Sequence, residues 1–396
     1  MDVVKEIKEI KTQLAYSKNF GFFFGAGTSC ALKIPDIAAL TKGVEAKLKG
    51  DHLKNFKAIR DNLKSSAPAG KTVTIEDILN QIRRIREITN EKPDQEFIKV
   101  SGEAAKKLDQ EICKNIYGII DEKEKTADLS NTKRFFAWLN NLNREFTKEV
   151  FTTNYDLAIE KSLEANQIPY FDGFVGAYEP FFWEESIEQP TGKHDLTRNW
   201  IRLWKIHGSL SWFWKLDGTT GSQRIVRAGR FNSSCAADNE LVIYPSKEKY
   251  DSSRKQPFIA YFDRLKNFFS SGELLFVFSG YSFSDQHIND IVFNCLRQNN
   301  RLSCIVFCFQ DSEVENLYKL IASSYMNLRV FGPTKAIVNG VMEDWKFDKT
   351  TIKDSEKFDS YWDEAGKKFL LGDFNKLVDF LITISGQAEP ADPSKK

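Results

Sequence analysis

GFFFGAGTSCALKIPD, residues 21–36, decides the reading of this chain. Four apolar or small residues run straight into Gly25, Ala26 and Gly27, then into Thr28, Ser29 and a helix-compatible stretch. An unbroken apolar run of this length suits a strand buried on both faces, as in parallel sheets covered by helices. Glycines after such a strand let the backbone turn tightly and approach a phosphate, and a following helix start favours an anion. The third glycine of a GxGxxG fingerprint is missing, so the stretch alone also fits a plain strand-to-helix turn.

Further short apolar runs share this character: Glu149–Thr153, Leu203–His207, Glu240–Tyr244, Leu274–Ser279 and Ser303–Phe309. Helix-length segments such as Asp156–Asn166 and Asp285–Asn299 separate them. The alternation predicts an α/β fold, a Rossmann-like parallel sheet with helices on both faces. Between Ala38 and Arg144 the strand signal disappears. Helices are expected at Ile37–Leu48, His52–Leu63, Ile75–Ile88, Phe97–Ile120 and Lys133–Leu142, making residues 38–145 an inserted helical module. Tyr170–Arg202 is dense in aromatics and turn residues and reads as an ordered loop or small lid. The catalytic domain is expected over residues 1–340. A C-terminal extension over 341–396 follows, helical over Tyr361–Ile384 and ending in a disordered tail.

Composition narrows the function classes. The 396 residues are 41% hydrophobic and 28% charged, ordinary for a globular protein, although 32 phenylalanines imply an aromatic core. The formal net charge of +1 gives no footprint for direct nucleic-acid binding. No apolar run approaches the length of a membrane span. The N-terminal segment is amphipathic with mixed charges rather than a secretion signal, so a cytoplasmic location is expected. The six cysteines are scattered without any CxxC, so no zinc site is expected, and Cys304 and Cys308 read as core.

Three more motifs sit at strand ends, where open α/β sheets bind ligands. FTTNYD (Phe151–Asp156) offers Thr153, Asn154 and Asp156. Asp156 also suits a helix cap, whereas Asn154 stands one step too early for that. LWKIHGSLSW (Leu203–Trp212) ends a strand at His207, the one histidine of four so placed; it suits a general base near neutral pH or a structural histidine. FSGYSFSDQHIND (Phe278–Asp290) brings Gly280 and Ser282 to a helix start, with Ser284 or Asp285 as the N-cap.

Taken together, the motifs resemble the sirtuin family and its NAD-hydrolysing bacterial relatives. GAGTSCALKIPD aligns without gaps on GAGISxxSGIPDFR, TTNYD stands for TQNxD, HG follows, and GYSF stands for GTSL. The resemblance spans Gly25 to about Phe283 and extends with the next strand and helix to about Gly332. It implies that NAD+ is bound as substrate. Gly25, Ala26, Gly27, Thr28 and Ser29 would lie on its diphosphate and Asp36 near the nicotinamide side. Thr153, Asn154 and Asp156 would line the ribose and nicotinamide pocket, His207 would be the base, and Gly280 and Ser282 would hold phosphate or adenosine ribose. Asn154, His207 and Asp156 would be the catalytic set.

The departures all concern a protein substrate. The four-cysteine zinc ribbon is absent, the PDFR of the family is Pro35, Asp36, Ile37 and Ala38, and the acyl-peptide strand VxFGE is LVIYPSKEKY (Leu241–Tyr250). This asymmetry favours NAD+ hydrolysis over lysine deacylation, with a non-catalytic NAD- or ADP-ribose-sensing module as the third reading. The chain looks most like sirtuin-type effectors of bacterial anti-phage defence, which deplete NAD. Among them it looks most like the kind encoded beside a HerA-type ATPase. That likeness implies a homo-oligomer and a HerA-type ATPase partner.

Overall fold

The computed structural model describes residues 1–67, 72–142, 144, 146–188, 199–216, 223–228, 240–243, 256–321, 324–348 and 358–384. The chain begins with α1 (Val3–Tyr16) and β1 (Phe20–Phe24), then turns through the short α2 (Ala26–Cys30). The helical insertion follows: α3 (Ile37–Lys47), α4 (Gly50–Ser66), α5 (Ile75–Ile88), a hairpin of β2 (Glu96–Phe97) and β3 (Val100–Ser101), and α6 (Gly102–Glu124). Next come α7 (Ser130–Asn141), β4 (Glu149–Thr152), α8 (Ala158–Ala165), β5 (Tyr170–Phe171), β6 (Phe174–Val175) and β7 (Phe181–Phe182). β8 (Ile201–Lys205), β9 (Gly208–Leu216), β10 (Gln223–Arg227), β11 (Glu240–Ile243) and α9 (Phe258–Ser270) form the middle. The chain continues through β12 (Leu274–Ser279), α10 (Gln286–Gln298), β13 (Leu302–Phe307), α11 (Asp311–Ile321), β14 (Leu328–Phe331), β15 (Lys335–Val338) and β16 (Val341–Asp344). It closes with β17 (Trp362–Asp363), β18 (Lys368–Phe369) and α12 (Phe374–Ile384).

The main sheet has the order β16-β15-β14-β13-β12-β1-β4-β8-β5. Its pairs are parallel from β14 to β5, and only the β14–β15–β16 edge is antiparallel. β1 lies between β4 and β12, so the chain leaves it toward opposite edges of the sheet. That is a topological switch point, the place where such sheets open a crevice at their C-terminal ends.

The phenylalanines of β1 show how the sheet is held. Phe20, Phe22 and Phe24 pack on one face with α1, α7, α8 and α12. Phe23 points to the other face, with α9, α10 and α11. Phe22 meets Phe135 edge-on, centroids 5.0 Å apart, and Phe24 meets Phe374 at 5.5 Å. Gly21 shares Phe23's face; a Cβ there would stand 2.7 Å from the Phe268 ring, so glycine is what lets α9 lie close. Each fully buried phenylalanine contributes roughly 1.5–3 kcal/mol by removal from water. The α/β fold with helices on both faces is as the apolar runs predict.

Four details differ. Glu240–Ile243 is no part of the parallel sheet. It pairs antiparallel with β9 in a second sheet, β11-β9-β10-β7-β6. An apolar run specifies burial, while the partner strand is chosen by non-local pairing. The helix expected from Phe97 starts at Gly102, because Phe97 pairs with Val100 across a two-residue turn. Ile98 and Lys99 both take positive φ there (57° and 59°), without the glycine or asparagine that usually marks such a turn. The helix expected from Tyr361 starts at Phe374; a small hairpin precedes it, and Gly366 and Gly372 break the apparent helical pattern. Strand β8 ends at Lys205, which leaves His207 in the turn before β9.

The helical insertion has its own core, from Leu40 and Val44 through Ile78, Ile82, Leu108 and Ile112. Leu210, Phe213 and Val226 of the second sheet close that core. Residue 340 lies between β15 and β16, which pair with each other, and α12 packs in the same core as α1 and α7. Cys304 and Cys308 are buried. The tail beyond Ile384, and Tyr244–Tyr250 of LVIYPSKEKY, lie outside the described residues.

Glycine at 280 is required twice over. Its φ is +65°, and a Cβ would sit 2.5 Å from the Thr28 nitrogen and 2.8 Å from the Gly27 Cα. Gly280→Ala should lower unfolding free energy by about 2–4 kcal/mol. Gly118→Ala on α6, where a Cβ meets nothing within 4 Å, should raise it by about 0.5–1 kcal/mol. Urea denaturation of both variants measures this; equal effects would contradict the packing described.

Candidate functional site at the switch point

Two turns meet at the crevice. The one after β1 carries Gly25 to Ser29, and the one after β12 carries Gly280 to Asp285. They are laid backbone on backbone: the Gly25 amide donates to the Ser279 carbonyl (3.0 Å) and the Gly27 amide to the Gly280 carbonyl (2.9 Å). A Cβ on Gly25 would run into the Gly280 carbonyl, and one on Gly27 would come within 2.6 Å of the Gly280 Cα. The glycines are therefore needed for the two turns to touch. Within the first turn Ala26 and Gly27 are exposed, while Gly25, Thr28 and Ser29 are buried.

The loop after β4 locks onto this turn. Asn154, buried, donates from Nδ2 to the Gly25 carbonyl (3.0 Å) and to Thr28 Oγ1 (3.0 Å). A carbonyl oxygen can only accept, so the amide's orientation is fixed and its Oδ1 is left as the acceptor end. Thr28 Oγ1 in turn donates to the Gly25 carbonyl at 2.9 Å. The Thr153 amide donates to the Phe24 carbonyl at 3.3 Å, and the Asn154 amide to Thr152 Oγ1 at 2.9 Å. Asp156 Oδ2 accepts from Ser29 Oγ at 2.6 Å, and its Oδ1 accepts from the Ala158 amide at 3.1 Å.

His207 lies across the edge, in the β8–β9 turn, and is buried. Its Nε2 is 3.0 Å from Asp285 Oδ2. Burial pushes the Asp285 carboxyl upward, but the His207 hydrogen bond and charge and the amides of Ile288 and His287 outweigh it and hold it below its ordinary value. Asp285 is the N-cap of α10.

The expected site residues thus divide. Gly25, Ala26, Gly27, Thr28, Ser29, Thr153, Asn154, Asp156 and Gly280 form one bonded assembly. His207 joins it from the far side through Asp285. Asp36 is exposed and caps α3, accepting the Ala39 amide at 2.7 Å. Ser282 is exposed, 3.1 Å from Ser284 Oγ. Among the described residues no group of three His, Cys, Asp or Glu could hold a metal ion, and no helix is long and apolar enough to cross a membrane.

Two participants escape a sequence reading. Lys205, buried at the end of β8, donates to the Asp156 carbonyl and to Glu160 Oε1 (2.7 Å). Burial raises the Glu160 carboxyl above its ordinary value, and Lys205 only partly offsets this. A lysine within the apolar run Leu203–Ile206 was the available signal. Asp285 is the other: its capping role is legible, its reach to His207 is not.

Lys205→Met should destabilise the fold by about 3–5 kcal/mol, because it leaves Glu160 buried without its cation. Lys205→Met combined with Glu160→Met should recover most of that loss. Chemical denaturation of the three variants checks this, and strictly additive losses would rule out the coupling.

No curated relative matches the sequence. Among solved structures, a Sir2 homologue–NAD complex is 13% identical, with 76% of this chain and 81% of that one covered and a TM-score of 0.40. A Sir2 homologue mutant with ADP-ribose is 15% identical, with 75% and 84% covered and a TM-score of 0.37. In sequence, residues 148–330, from the approach to β4 through β14 and so including Asn154, Asp156, His207, Gly280 and Asp285, match the family model of the SIR2-like domain.

Proposed function

We propose that this protein is an NAD+ glycohydrolase that cleaves the nicotinamide–ribose bond to give nicotinamide and ADP-ribose. The observation that carries the reading is the fixed amide of Asn154. Its donors are spent on Gly25 and Thr28, and its acceptor oxygen remains at the switch point, on the same sheet edge as His207. The SIR2-like match over residues 148–330 supports an NAD-using chemistry at that edge.

In this reading the dinucleotide lies over the two glycine turns. Ala26 and Gly27, the exposed residues of the first turn, meet the diphosphate, with Gly25, Thr28 and Ser29 shaping the turn beneath them. Gly280 and Ser282 face it from the second turn, and Thr153 and Asp36 flank the ribose and nicotinamide end. Asn154 Oδ1 accepts a hydrogen bond from the attacking water or a ribose hydroxyl. Asp156 holds Ser29 and thereby the turn. The C–N bond breaks with its electron pair leaving on nicotinamide, which departs as a neutral base and needs no strong acid. The ribose passes through an oxocarbenium-like state, water oxygen bonds to its C1, and His207 accepts the water's proton and returns it to solvent. The balance is NAD+ and water to nicotinamide, ADP-ribose and one proton.

The sequence resemblance extends the proposal to the setting: a cytoplasmic, homo-oligomeric, NAD-depleting effector of anti-phage defence that works with a HerA-type ATPase. The test follows nicotinamide and ADP-ribose by chromatography, with and without an acetyl-lysine peptide and a HerA-type ATPase. Nicotinamide release is expected without peptide, and should fall on the order of 100-fold or more in Asn154→Ala and in His207→Ala. Release that requires the peptide would make the protein a deacylase. Wild-type rates in both variants would remove these residues from the mechanism.

A further inference from the structure

The His207–Asp285 pair joins elements that are not neighbours. β8 and β12 are separated in the sheet by β1 and β4. The pair therefore spans the C-terminal ends of the two strands that carry Gly25 and Asn154.

The carboxylate is held with little freedom. Its Oδ1 accepts the amides of His287 (2.8 Å) and Ile288 (3.4 Å) at the start of α10. The loop before it is pinned by buried Asn289, whose Nδ2 donates to the Phe283 carbonyl at 2.7 Å. Asn289 Oδ1 in turn accepts the Tyr281 hydroxyl at 3.1 Å. Phe283, in that loop, takes a φ of +53°. Only Oδ2 is left for His207, at 3.0 Å.

We propose that Asp285 is a positioning residue that holds His207 as the Nε2–H tautomer, so that Nδ1 is the atom that takes the proton. An ionised carboxylate has lone pairs and no proton, so the ring nitrogen facing it must carry the hydrogen. A neutral imidazole has one protonated nitrogen, and its basic lone pair is then on Nδ1. When Nδ1 accepts a proton, the ring becomes imidazolium and the Asp285 charge stabilises it at 3.0 Å. No proton passes to Asp285. The proton acceptor role of His207 rests on the hydrolase reading above, while the tautomer rests on the geometry alone.

The experiment separates the two. The protein has four histidines, so ring nitrogen shifts in histidine-15N-labelled protein can be assigned with His207→Gln. Wild type should show His207 as Nε2–H at a pH where the ring is neutral. Asp285→Asn and Asp285→Ser both keep a side-chain oxygen able to cap α10, so their melting temperatures should stay close to wild type. Both should lose the Nε2–H tautomer, Asp285→Asn because the amide NH2 then facing Nε2 is a donor, and kcat for NAD+ hydrolysis should fall on the order of 100-fold with KM little changed. An Nδ1–H tautomer in wild type would overturn the proposal, as would full kcat in both folded variants. A wild-type protein that leaves NAD+ intact both alone and with a HerA-type ATPase, yet loses the Nε2–H tautomer on Asp285→Ser, would overturn the hydrolase reading and sustain the Asp285 assignment.

Discussion

Backbone contact between the turn at Gly25–Gly27 and the turn at Gly280 is the constraint on which this edge of the molecule depends. Two adjacent parallel strands, β1 and β12, send their chains off in different directions. Their turns must pass within van der Waals distance for the sheet to stay paired to its end. Any side chain at these glycines would push the turns apart. With the turns in contact, the amides of Gly25 and Gly27 are satisfied by the carbonyls of Ser279, at the end of β12, and of Gly280. The crevice thus has a floor made of rigid backbone rather than mobile side chains.

The rest of the site is hung on that floor in order. Asn154 is fixed because the Gly25 carbonyl and the Thr28 hydroxyl are where they are. Asp156 ties Ser29 to the start of α8, and Lys205 ties the Asp156 backbone to Glu160. Each bond lies in a buried place, where an unmatched polar group costs about 1–3 kcal/mol, so the set holds together or is lost together. His207 enters from β8 and is oriented by a carboxylate that belongs to α10. The positioning of polar groups that the proposed chemistry requires follows from ordinary accounting of buried donors and acceptors.

That arrangement also changes the meaning of residues expected to touch a ligand directly. The resemblance assigns Thr28 and Ser29 to the diphosphate. In the fold their hydroxyls are committed to Gly25, Asn154 and Asp156, while Ala26 and Gly27 present the exposed surface of the turn. Capping residues behave likewise: Asp36 serves α3, whereas Asp285 serves α10 with one oxygen and His207 with the other. Sequence position gives the same answer for both aspartates, yet only one of them reaches into the crevice.

The parallel sheet, its helical insertion and the four strand ends that carry polar residues are legible in the sequence, because burial on two faces leaves a continuous apolar run and turns need glycine. The sequence also separated Asn154 from an ordinary cap and singled out His207 among four histidines. It could not place Glu240–Ile243 in a second, antiparallel sheet, nor find a two-residue turn built from Ile98 and Lys99. Strand partners, and left-handed backbone at residues other than glycine or asparagine, leave no local signature. Tertiary structure alone decided that Lys205 would be buried against Glu160, and that the cap of α10 would meet a histidine three strands away. Those facts depend on which strands lie side by side, and local composition does not encode that order.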